Sequence, residues 1–82
     1  MQPVNQPSPR ANVKPLTHWL IYRGYSVRFH ARNRDRVTGV ITTPDGTADF
    51  VYDPANLVVT LPDERIRINE HGWELEKEAL DA

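Results

Sequence analysis

Residues 26 to 36, SVRFHARNRDR, place five arginines or histidines in eleven positions: Arg28, His30, Arg32, Arg34 and Arg36. On a strand, side chains two apart emerge from one face. Arg28, His30 and Arg32 then point the same way. Guanidinium groups present forks of donors that suit carboxylates or phosphates, and the imidazole adds a charge that responds to pH. Arg65 and Arg67 repeat the same spacing in RIRIN. This chemistry is recognition of an anionic surface.

Other chemistry is not legible. The histidines stand at 18, 30 and 71, and His30 has arginines on both sides. No spacing matches a metal site, and with no cysteine in the chain there is no thiolate ligand. Ser8 and Ser26 lack the strand-to-helix elbow of a nucleophile. Asp45 and Asp53 sit in turn sequences, and Asp49 falls on the outward side of a strand. TPDGT has one glycine and reads as a hairpin turn rather than a phosphate cradle. No enzyme, metal, cofactor or small-molecule substrate is expected.

The elements that must position these residues belong to a small chain. Eighty-two residues predict one domain with a small core, since such a chain buries only about 60% of its unfolded surface. The longest apolar runs are three residues, such as WLI and LVV, so no membrane helix is expected. Without a signal-like apolar stretch at the start, the expected location is the cytoplasm. Charge is uneven. Residues 1 to 36 carry seven Lys and Arg against one acid, a net +6, and residues 37 to 82 carry three against ten, a net −7. Such a split points to a charged partner or to two halves that neutralise each other.

Residues 1 to 13, with three prolines, read as a disordered tail. KPLTHWLIYRG predicts a short helix: Pro15 in the first turn, Gly24 as the stop, and Leu16, Trp19 and Leu20 on one face. From Tyr25 the period becomes two. Tyr25, Val27, Phe29 and Ala31 point inward, then Val37, Gly39 and Ile41, with Gly39 marking a bulge or bend. Ala48, Phe50 and Tyr52 follow, then Leu57, Val59 and Leu61, then Ile66 and Ile68. The turns NRDR, TPDGT, DPAN and PDE separate five strands. This predicts a mainly β domain over residues 14 to 76, a five-stranded antiparallel meander with an N-terminal helix. By strand count and loop length it resembles an SH3-like barrel. The alternative is an open two-layer α+β arrangement. Residues 77 to 82 read as an acidic C-terminal tail. Gly72 breaks the fifth strand, EHGWELEKEALDA is open to strand or helix, and Trp73 reads as a lid on the core.

RGYSVRF begins like the RNA-recognition-motif signature, then departs, with Arg28 where an aliphatic is wanted and His30 where an aromatic is wanted. Tyr25, Phe29, Phe50 and Tyr52 all share the inward parity, which leaves no outer aromatic to stack a base. If the sheet closes into a barrel, strands one and five meet and Arg28, His30, Arg32, Arg65 and Arg67 form one basic stripe. In an open sheet the stripe does not form, and edge charges discourage sheet-to-sheet pairing. Val58, with Val40 and Val51, adds outward apolar surface of the kind a protein interface uses. The expected function is a non-catalytic binding module that docks an acidic protein partner through Arg28, His30, Arg32, Arg65, Arg67 and Val58. A nucleic-acid-binding small β-barrel protein is the alternative, and an accessory subunit with merely solvated charges is the third reading.

Overall fold

In the computed structural model, which describes residues 12 to 80, Lys14–Arg23 form helix α1. Its start borrows a partner: the Asn12 side-chain oxygen accepts from the Lys14 N–H at 3.0 Å. Pro15 in the first turn gives up no needed donor. At the other end Gly24 takes φ 75°, the left-handed conformation that glycine adopts without strain. Gly24 N–H then donates to Ile21 and Tyr25 N–H to Leu20, which closes the last carbonyls. A ten-residue helix is marginal alone, so packing must hold it. Leu16, Trp19 and Leu20 are buried on the expected face.

Six strands follow: β1 Ser26–Arg32, β2 Val37–Thr43, β3 Gly46–Asp53, β4 Val58–Thr60, β5 Glu64–Ile68 and β6 Glu74–Ala79. They pair antiparallel in chain order as one open sheet, with β1 and β6 at its edges. The mainly β meander with one short helix is as the alternation predicts. The strand count is six rather than five, because Glu74–Ala79 pairs with β5. The boundary expected at residue 76 therefore falls inside a strand. The tail expected over residues 1 to 13 lies outside the described residues up to residue 11, and so do residues 81 and 82 of the acidic tail. Asn12 and Val13 belong to the helix start. Among the described residues no helix is long and apolar enough to cross a membrane.

The core lies between α1 and the inner face of the sheet. Leu16, Trp19, Leu20, Val37, Ile41, Phe50, Tyr52, Val59, Ile66 and Ile68 are buried, with Val27, Phe29, Leu57 and Leu61 packed against them. The period-two reading thus places the inner face correctly except at Ala31, which pairs with Thr38 beyond a register slip in β1. Gly39 is not itself the bulge. It is a close-packing point: a Cβ there would lie 2.2 Å from the Arg28 carbonyl oxygen and 2.9 Å from the Phe50 ring. The bulge sits across from it, where the β1–β2 register slips between Phe29 and Ala31. β4 has three residues: Leu57 before it adopts a left-handed φ of 58°, uncommon outside glycine, and Leu61 after it donates its N–H to the Glu64 carbonyl across the turn. Tyr52 is buried completely and its hydroxyl meets no hydrogen-bond partner among the described residues. Burial pushes that phenol up to about 12.

Candidate functional site

The bulge decides what β1 can present. Ser26 pairs with Thr42, Arg28 with Val40, and Phe29 with Gly39. His30 is the extra residue, after which Ala31 meets Thr38 and Arg32 meets Val37. One inserted residue exchanges the two faces. Arg28 therefore stays outward, beside Val40. Arg32 does not: it shares the side of buried Val37, and its guanidinium lies 5.3 Å from the centre of the Phe29 ring. The outward placement expected for Arg32 is corrected by this slip, and Ala31 moves outward in its place. His30 is exposed at the bulge. A shallow depression of about 330 Å³ is lined by Phe29, His30, Ala31 and Arg32.

The turn that follows is a tight one. Asn33 and Arg36 exchange backbone hydrogen bonds of 2.9 and 3.3 Å, which leaves Arg34 and Asp35 at the tip. Arg34 and Arg36 are exposed. Neither they nor Arg28 form an ion pair with any described residue. Arg28, Arg34 and Arg36 are thus left without a neutralising carboxylate among the described residues.

The other half of the expected stripe lies elsewhere. No pairing joins β1 to β5; β2, β3 and β4 stand between them. Arg65 and Arg67 face outward on β5, as the alternation predicts, but β6 lies directly beside them. Arg65 binds Glu78 at 2.8 Å and Arg67 binds Glu76 at 2.9 Å. Val58 is paired with Arg67 and belongs to this patch. Together Val58, Arg65, Arg67, Glu76, Lys77 and Glu78 line an open groove of about 620 Å³. The five cationic positions thus split into an unpaired group on β1, one inward arginine and a neutralised group on β5. Arg34 and Arg36 were not expected as site residues. The signal for the β5–β6 pairing was present in the sequence: Glu76 and Glu78 carry the same spacing of two as Arg65 and Arg67.

A third region joins α1 to the start of β6. Glu74 accepts from the Trp19 indole N–H at 2.8 Å and from Arg23 Nε at 2.6 Å, and forms an ion pair with Arg23. Burial opposes the Glu74 charge, but the two donors and the cation outweigh it and hold the carboxyl below its ordinary range. The same partner outweighs burial at Arg23 and raises its guanidinium. Gly72 fits closely against the helix, since a Cβ there would lie 2.6 Å from the Trp19 backbone nitrogen. Trp73 is not a lid on the core: it is 52% exposed and meets exposed Tyr22 edge-on at 5.0 Å. His18 and His71, far apart in sequence, line one groove of about 190 Å³ with Ile21, Tyr22, Gly72 and Trp73.

The Asp53 carboxylate serves backbone geometry. Asp53 accepts from the Ala55 and Asn56 N–H groups and from the Asn56 amide, and that amide hydrogen bond leads in holding its carboxyl low. Among the described residues no cluster of three or more His, Cys, Asp or Glu is placed to hold a metal ion. Comparison with protein families, with curated proteins and with solved structures finds no match to this chain.

Proposed function

We propose that this chain is a non-catalytic binding module that docks an acidic protein surface through the β1 edge and the β1–β2 turn. The observation that carries this reading is the contrast in neutralisation. Arg65 and Arg67 have carboxylates across the strand pair, whereas Arg28, Arg34 and Arg36 are exposed without one among the described residues. Exposed guanidinium groups bind carboxylates through charge-assisted, often bidentate hydrogen bonds. Val40 beside Arg28 supplies apolar contact. Arg32 supports the edge through its stacking on Phe29 rather than as a contact.

The exposed aromatics argue against nucleic acid. Tyr22 and Trp73 meet in a groove with His18 and His71, not in the basic patch of β1, so stacking and phosphate contacts are not combined. The test is a titration with an extended Glu- and Asp-rich peptide and with mixed-sequence duplex DNA, at two salt concentrations. Wild type should bind the peptide, Arg28→Glu and Arg34→Glu should lose it, and Arg65→Glu should retain it. Peptide binding that is absent, or unaffected by Arg28→Glu, rejects the reading. Duplex binding with a log K against log salt slope of about −3, for three phosphate contacts, puts nucleic acid in its place.

A further inference from the structure

The two edges of the sheet carry opposite charge. β1 holds Arg28, His30 and Arg32, and its turn adds Arg34 and Arg36 against Asp35. β6 holds Glu74, Glu76 and Glu78 against Lys77. Each is paired on one side only among the described residues. We propose that β6 of one copy pairs with β1 of a second copy of this chain, extending the sheet head to tail. This rests on the reading of β1 as an acid-binding edge and names its partner.

Direction favours this contact. Five consecutive antiparallel pairs make β1 and β6 run opposite ways. A second copy set alongside in the same orientation brings its β1 to β6 antiparallel, so the sheet pattern continues. Lengths match as well, at seven residues for β1 and six for β6.

Charge then selects among the edge pairings. Glu76 and Glu78 lie on the outer face, with Arg67 and Arg65 on one side. Their side chains remain 63% and 62% exposed, so the other side is open. A docked β1 places Arg28 in that outer layer, and a carboxylate then has a cation on each flank. Opposite charges across a strand pair attract and like charges repel. Two β1 edges set arginine against arginine, and two β6 edges set glutamate against glutamate. Edge charges of this kind guard against sheet-to-sheet pairing in general. Here they oppose only the like pairs. The bulge at His30 limits the ladder to part of β1. One short strand pair buries less than the roughly 1,200–2,000 Å² of a stable interface, so the association is weak. An unlike-edge contact of this type does not close by a two-fold, so it yields short open chains.

Sedimentation of the full chain tests this, over a range of concentration and at low and high salt. The average mass should rise with concentration at low salt and fall back to the monomer at high salt. Arg28→Glu alone and Glu76→Lys alone should each weaken self-association roughly tenfold, the effect of turning one attractive cross-strand pair repulsive. Arg28→Gln and Glu76→Gln should give smaller losses, and serve if a reversal unfolds the chain. The acidic peptide separates this proposal from the reading beneath it: Glu76→Lys should still bind the peptide, and Arg28→Glu should not. A wild type that binds peptide yet stays monomeric overturns the proposal and leaves the binding reading standing. A wild type that does neither overturns both. Self-association that survives undiminished in either reversed variant also overturns the proposal.

Discussion

Basic residues spaced by two occur on β1, as Arg28, His30 and Arg32, and on β5, as Arg65 and Arg67, and the two sets meet different neighbours. On β5, each guanidinium finds a carboxylate of β6 across the pair, so the patch is neutral and its charges face each other. On β1, Arg28 faces Val40, a bulge turns Arg32 inward, and the remaining cations sit on the turn. A strand's own pattern fixes which face a side chain takes, as long as the register holds. Its cross-strand neighbour fixes whether the charge is spent inside the fold or left for a partner. The two regions are also anchored differently. β1 is held by aromatic packing over a glycine, and β6 is held at its start by a hydrogen-bonded carboxylate under the helix.

The largest test removes the anchor on the β1 side. Phe50 is buried, meets Phe29 edge-on at 6.3 Å, and closes against Gly39. Phe50→Ala should cost about 3–5 kcal/mol in urea unfolding, through lost transfer energy and the cavity left behind. That is a large part of what a small domain has. A change under about 1 kcal/mol would mean that β1 is held some other way, and the contrast in anchoring fails.

The middle test removes the anchor on the β6 side. Glu74→Ala leaves the Trp19 indole N–H and the Arg23 guanidinium without their acceptor. The expected cost is about 1–3 kcal/mol, that of an unsatisfied, partly buried donor. The same contact carries a pH signature. The folded state holds the Glu74 carboxyl below its ordinary range. Its contribution is therefore fully present above the ordinary carboxylate value, and is lost as pH falls through the lowered one. Wild type should lose more stability than Glu74→Gln between neutral and acid pH. Equal slopes would show that the charge of Glu74 does not support the seam.

Much of this arrangement was legible in the alternation. Phe50, Tyr52, Val59, Ile66 and Ile68 follow a period of two, turn residues bound each strand, and the Pro15-to-Gly24 interval frames the helix. What was not legible is long-range or one residue wide. A bulge leaves no mark in the HAR sequence itself, yet it turns Arg32 over. In ELEKEA the charged residues have low strand propensity, and the strand forms through long-range partners: the β5 ladder, Arg65 and Arg67, and the Glu74 contact with the helix. The Glu74 contact spans fifty-five positions to Trp19, beyond any local pattern. The expected stripe failed for a topological reason, since it required strands one and five to be neighbours.

The smallest effect sharpens the comparison most directly, because it measures the neutralisation itself. A double-mutant cycle on Arg65 and Glu78 should give a coupling of about 0.2–1 kcal/mol, the range for an exposed pair. It should shrink as salt rises, since both side chains are about half exposed or more. The matching cycle on β1 uses Arg28 and Asp49, which flank Val40 on the outer face without an ion pair between them. Its coupling should be indistinguishable from zero. Unfolding midpoints of the four chains in each cycle, measured in urea at two salt concentrations, give both numbers. Equal couplings on the two sides would erase the distinction between a satisfied patch and an available one. A clear coupling on β5–β6 with none on β1 would leave Arg28 as a charge that the fold itself does not use.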